Sequence, residues 1–135
     1  MANKKIKTAM ENFKHLTVYK KSFELAMEIF QITKKSPKEE TYALTSQIRR
    51  SSRAVCSNLG EGYRKRLYPA HFISKISDSD MENSETQVWI DFAFSCEYIN
   101  SETRMVLENK GNEVGKLLFH MISYPEKYQN KKPLV

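Results

Sequence analysis

"LTSQIRRSSRAVCSNLGEGYRKR", residues 44–66, is the stretch on which the fold turns. Leu44, Ile48, Ser52, Val55 and Leu59 recur at spacings of three and four, the repeat that aligns side chains on one face of an α-helix. With Ile48 as the origin and about 100° per residue, Arg49, Arg53, Arg64 and Arg50 fall at roughly 100°, 140°, 160° and 200°. The arginines therefore share one arc, opposite the core stripe. Gly60 and Gly62 each cost a helix about 1 kcal/mol relative to alanine, so a break or kink is expected there. That would leave "YRKR" at the helix end or on the following turn.

The same periodicity extends in both directions. Upstream, Val18, Leu25, Ala26, Ile29 and Thr33 form one stripe, and Tyr19, Phe23 and Phe30 widen it. Thr17 is the expected N-cap, with Leu16 outside it as a staple residue. "KKSPKEETY" closes this helix and opens the next, with Ser36 as N-cap, Pro37 at the first helical position and Glu39 completing a capping box. Downstream, Pro69 starts a helix that runs towards Tyr98 with Phe72, Ile76, Ser79, Thr86, Trp89, Ile90 and Ala93 inward. "YINSET" then caps a last helix through Asn100 or Ser101, carrying Leu107, Val114, Leu117, Leu118, Met121 and Ile122.

Four amphipathic helices with short links predict an all-α, antiparallel up-down-up-down four-helix bundle. The composition agrees. The 135 residues suffice for one domain, and four Gly and four Pro leave few turn signals. The expected organisation is a basic arm at residues 1–15, the bundle at 16–124 and a polar tail at 125–135. Cys56 and Cys96 lie in apolar helical patterns without Cys-x-x-Cys spacing, and read as small buried side chains in a reducing compartment. No signal peptide pattern and no apolar run of membrane-spanning length occurs, so a cytoplasmic location without a membrane partner is expected.

The net charge is +6, which favours acidic partners such as nucleic acid, and is also within the ordinary range for solubility. Its distribution is uneven. Residues 46–66 hold six basic residues (Arg49, Arg50, Arg53, Arg64, Lys65, Arg66) against Glu61, which is the expected salt-bridge partner among them. Residues 67–99 hold six acidic ones (Asp78, Asp80, Glu82, Glu85, Asp91, Glu97) against Lys75. A basic and an acidic surface on one domain suit a head-to-tail ring.

"SQIRRSSRAVCSN" (46–58), the acidic residue and "YRKR" that follow, and "ETQVWIDFA" (85–93) with Cys96, Tyr98 and Ile99 carry a family resemblance. Over about residues 13 to 124 the chain resembles the four-helix-bundle proteins first noticed as reading frames in intervening sequences of bacterial 23S rRNA genes. It departs from them at "LGEG", where relatives usually carry alanine-like residues. The resemblance implies a bundle that commonly forms a homopentameric ring. It also implies similarity to the accessory bundle protein of diversity-generating retroelements, a basic ring that binds nucleic acid and a reverse transcriptase. It implies no enzymatic activity.

The arginine arc has three readings. Arg49, Arg50, Arg53 and Arg64, extended by Lys65 and Arg66, can contact phosphates, where guanidinium binds as a fork. They can instead pair with Glu82, Glu85 or Asp78, within the chain or across subunits, or form a solvated face. Tyr63 and Tyr68 flank the cluster and read as helix-end packing residues that could also stack on bases. Tyr19, Phe23, Phe30 and Trp89 are the expected subunit interface. No cofactor or metal is expected, because neither Glu82 nor Glu85 is followed by the histidine of a Glu-x-x-His site, and His15, His71 and His120 fall on different segments. No catalytic constellation is legible. The expected function is a non-enzymatic oligomeric bundle that binds nucleic acid, RNA favoured, through the arginine face. The alternative is a structural or protein-interaction bundle whose arginines meet neighbouring subunits or an acidic partner.

Overall fold

The computed structural model describes residues 12–129. Four α-helices carry the chain: α1 Thr17–Thr33, α2 Leu44–Arg64, α3 Pro69–Ser95 and α4 Ser101–Ser123. Three short 3-10 turns, Phe13–His15, Lys38–Glu40 and Pro125–Lys127, flank them, and no strand occurs among the described residues. The pairing is antiparallel. Ser51 meets Thr86 and Ser79 meets Val55 between α2 and α3, so one helix rises as the other falls. Asp91 meets Arg104 and Asn83 meets Gly111 between α3 and α4. Lys21 meets Glu113 and Lys110 meets Glu28 between α1 and α4.

Most residues of the inward stripes named from the sequence are the core; Trp89, Leu117 and Ile122 are only half-buried against it. Val18, Val55, Leu59, Phe72, Ile76, Val114, Leu118 and Met121 pack at one end, and Leu25, Ile29, Leu44, Ile48, Ile90, Ala93 and Leu107 at the other. Between the two lies a belt of small polar residues. Ser51 and Thr86 share a 2.8 Å hydrogen bond, Ser79 donates to the Val55 carbonyl at 2.7 Å, and Asn83 donates to the Gly111 carbonyl at 3.0 Å. Each bond satisfies a buried polar group that would otherwise cost about 1–3 kcal/mol. Small side chains here let α2 and α3 approach closely.

Three expectations about helix ends need correction. Leu16, not Thr17, is the N-cap of α1. Ser36 and Pro37 do not open α2: Pro37 is extended (ψ 149°) and precedes the turn Lys38–Glu40, while α2 starts at Leu44. The backbone of Ala43 (φ −120°, ψ −107°) separates the two, so the capping box does not form. Instead Glu40 reaches forward, accepting from the Leu44 N–H at 3.2 Å and from the Tyr98 hydroxyl at 2.8 Å. α3 stops at Ser95, where the Glu97 N–H returns to the Phe94 carbonyl and the Tyr98 N–H to Ala93. Asn100 caps α4 as expected, its side chain accepting from the Thr103 N–H at 2.8 Å.

α2 runs unbroken through Gly60 and Gly62, because both glycines are places of close approach. A Cβ on Gly60 would sit 3.1 Å from the Phe13 ring, and one on Gly62 would sit 2.9 Å from the Ile76 side chain. The contacts withheld from a larger residue outweigh the helix cost. Of the expected arm, residues 1–11 lie outside the described residues, and Phe13 packs on α1 and α2. In the expected tail, Tyr128 stacks on Phe72 at 6.2 Å and hydrogen-bonds His120 at 2.7 Å.

Candidate nucleic-acid interface

The arginines of α2 have different surroundings. Arg49 sits on the flank nearest α1, not fully opposite the core. Its Nε donates to Thr33 Oγ1 at 2.9 Å and its guanidinium lies 4.7 Å from the Phe30 ring centre. The roughly 100° position read from the helix wheel is where a bundle neighbour lies. Arg50 reaches the other way, to α3. Its Nη1 and Nη2 grip Glu82 as a fork at 3.3 and 3.0 Å, and Nη2 also meets Glu85 at 2.5 Å. This is the intrachain pairing left open from the sequence. The hydrogen bonds that Arg50 donates to Glu82 and Glu85 raise its pKa, while the bond from the Trp89 indole N–H, 3.1 Å from Glu85, is the main cause that lowers the Glu85 pKa.

Arg53 and Arg64 are exposed, and no carboxylate pairs with either among the described residues. Arg53 lies 5.7 Å from the Phe30 ring. Lys65 is also exposed. Arg66 turns inward, its guanidinium 3.6 Å over the ring of Tyr63, and burial lowers its pKa. Tyr63 is buried as a packing residue, whereas Tyr68 is largely exposed. Glu61 makes an internal salt bridge, but with Lys75 of α3 at 2.7 Å and not with the basic residues around it.

Between these arginines α2 carries a shallow concavity of about 670 Å³, lined by Arg49, Arg50, Arg53, Thr45, Ser46 and Ser57, with Tyr42 at its N-terminal edge. The sequence reading passed over Tyr42 and the hydroxyl residues. The signal was present: at about 100° per residue Ser46 and Ser57 fall at roughly 160° and 180°, beside Arg53. Small residues between long cations make a trough instead of a ridge. Short hydroxyls and guanidinium forks are the donors that phosphate oxygens accept from.

A second recess, apolar and about 510 Å³, lies between α1 and α2 and is lined by Phe13, Tyr19, Phe23, Met27, Cys56 and the rim residues Arg53 and Arg64. Of the expected interface residues, Tyr19 and Phe23 line it. Phe30 lies instead beneath Lys34, Arg49 and Arg53, and Trp89 is half-buried against the second core cluster. Cys56 is half-buried in the recess, where burial pushes its thiol up to about 11. Cys96 is exposed at the end of α3, which corrects its reading as a buried residue; α3 ends one residue earlier and turns it outward. Among the described residues no three His, Cys, Asp or Glu side chains gather as metal ligands, and no helix is long and apolar enough to cross a membrane.

An antiparallel four-helix bundle with a cationic trough on its second helix defines the class. Within it, the chain belongs to the 23S rRNA-intervening sequence protein family, whose pattern it matches over residues 14–120. It is similar to a protein of unknown function from the S23 ribosomal protein family of Bacteroides thetaiotaomicron VPI-5482, known from a crystal structure. The two share 29% identity and a TM-score of 0.71, over 78% of this chain and 98% of that one. No curated protein matches the chain.

Proposed function

We propose that this protein is a non-enzymatic bundle that binds nucleic acid, RNA favoured, through the arginine face of α2, and that it works as a homo-oligomer. The observation that carries the reading is the trough itself. Arg53, which no carboxylate neutralises among the described residues, stands in a concavity of hydroxyl groups with Arg49 preset beside it by Thr33 and Phe30. Arg64 and Lys65 continue the charge along the helix. Arg50 contributes less, because Glu82 and Glu85 already hold its guanidinium.

The apolar recess between α1 and α2 favours a second reading, a protein-interaction bundle with arginines at the rim of a docking surface. Salt dependence separates the two. Binding of a labelled 12-nucleotide RNA, followed by fluorescence anisotropy from about 50 to 200 mM salt, should weaken steeply with salt. Arg53→Ala and Arg64→Ala should each weaken it and reduce the log–log slope by about one. A wild-type protein that binds no RNA at about 50 mM salt overturns the nucleic-acid reading.

A further inference from the structure

Tyr42 is 94% exposed, more than any other large apolar side chain among the described residues. Its place gives that exposure meaning. It stands at the edge of the arginine trough, in the turn between Lys38–Glu40 and α2. That turn is not loose. Glu40 clamps it from two sides, through the Leu44 N–H at 3.2 Å and the Tyr98 hydroxyl at 2.8 Å, and the Ala43 N–H returns to the Glu40 carbonyl at 3.1 Å. The backbone that carries Tyr42 is thus held beside a cationic surface, and its ring stands in water without a packing partner of its own among the described residues. The wall of the same trough holds an unsatisfied polar group. Thr45 lines it and is only 7% exposed, yet its hydroxyl has no hydrogen-bond partner among the described residues. A buried hydroxyl left in that state costs free energy.

We infer that the trough takes single-stranded nucleic acid: an unpaired base stacks on Tyr42 while the adjoining phosphate lies between Arg53 and Arg49, within reach of the Ser46 hydroxyl. The inference rests on the nucleic-acid reading above and adds the strandedness. In a duplex each base face is covered by its neighbours, so a lone ring has nothing to stack on; an unpaired base has a free π-face. The ring selects no particular base, because every base offers such a face. Selection is for strand state. Arg49 suits the phosphate because Thr33 and Phe30 engage only its Nε and one Nη2 bond, leaving the Nη1 N–H groups without a hydrogen-bond partner among the described residues.

The test uses three probes of equal length: a 12-nucleotide oligouridylate, a 12-base-pair RNA duplex and a 12-mer with abasic sites in place of bases. The wild type should bind the oligouridylate most tightly. Tyr42→Ala should weaken that binding about tenfold, the worth of one stacked base. Tyr42→Phe should restore it, and neither variant should change duplex or abasic binding. Full exposure of Tyr42 makes both variants safe for the fold, which circular dichroism verifies. Arg53→Ala should weaken all three probes. Equal wild-type binding of strand and duplex, with Tyr42→Ala silent and Arg53→Ala effective, overturns the inference and leaves the phosphate reading standing. No binding of any probe overturns both.

Discussion

Glu97 has φ 65°, the left-handed conformation that costs a non-glycine residue about 1–2 kcal/mol. Two hydrogen bonds hold it there, from its own N–H to Phe94 and from the Tyr98 N–H to Ala93, the pattern that closes a helix around a residue just past its cap. Glycine is the usual occupant. Glu97→Gly should therefore raise stability by about 0.5–1 kcal/mol, less than the full strain because glycine also loosens the unfolded chain. A denaturation midpoint that falls would mean the Glu97 side chain makes a stabilising contact. The two thiols give a second prediction at this scale. Burial raises the Cys56 pKa from 9.0 to about 11, whereas Cys96 is exposed. Iodoacetamide at pH 8 should alkylate Cys96 first. The neutral thiol is the form that folding favours at Cys56. Its contribution is complete below the unperturbed value of 9.0 and is lost as pH rises through the folded value of about 11. Cys56→Ala should flatten the fall of stability between about pH 9 and 11 relative to wild type, and parallel pH curves would contradict the shift.

Helix ends show which local signals mislead. Asn100→Ala should cost about 1 kcal/mol, since its side chain caps α4 through the Thr103 N–H. Ser36→Ala should cost only a few tenths by comparison, because α2 begins at Leu44 and no capping box forms. Glu40→Ala should be the damaging change in that segment, releasing both the Leu44 N–H and Tyr98. Urea denaturation of the three variants ranks them, and an equal loss at Ser36 and Asn100 would refute the assignment. The Ser-Pro-Lys-Glu pattern is a fair local signal for a helix start. It fails because Glu40 has a partner 58 residues away, which no local pattern contains. Gly60 and Gly62 misled in the same manner: they read as breaks until Phe13 and Ile76 appear against them. The inward stripes were legible because burial repeats with the helix period, and most of their members are the core. At the candidate site the arginines were legible as a group. Their division was not, because Arg49 and Arg50 differ by which neighbouring helix each meets. Tyr42 was missed because it lies in the turn before α2, where no helical period assigns it to a face.

At the scale of the whole molecule, charge segregation alone gives a weaker case for assembly than the sequence implied. Glu82 and Glu85 are held by Arg50, and Asp91 by Arg104, within the same chain. The apolar surfaces argue more strongly. Phe23 is 50% exposed in the recess between α1 and α2, and Met81, Val88 and Phe92 are 67%, 49% and 53% exposed along α3. These are two different apolar surfaces on one protomer, so an interface that joins one to the other is head-to-tail and closes into a ring or runs on as a filament. The family resemblance implies five subunits. Light scattering should then give a mass close to five times 15.8 kDa. Phe23→Glu and Phe92→Glu should each abolish the assembly and keep the helicity, because each places a charge on an exposed position instead of in the core. Mixing the two variants decides the geometry. The first retains a sound α3 stripe and the second a sound recess, so one pair of surfaces remains compatible and a heterodimer should form, but nothing larger. A symmetric interface, recess to recess or stripe to stripe, would instead leave one variant able to pair with itself through its untouched surface and the other monomeric, alone or mixed. A wild type that is monomeric at micromolar concentration would remove the ring altogether and leave the trough to act singly.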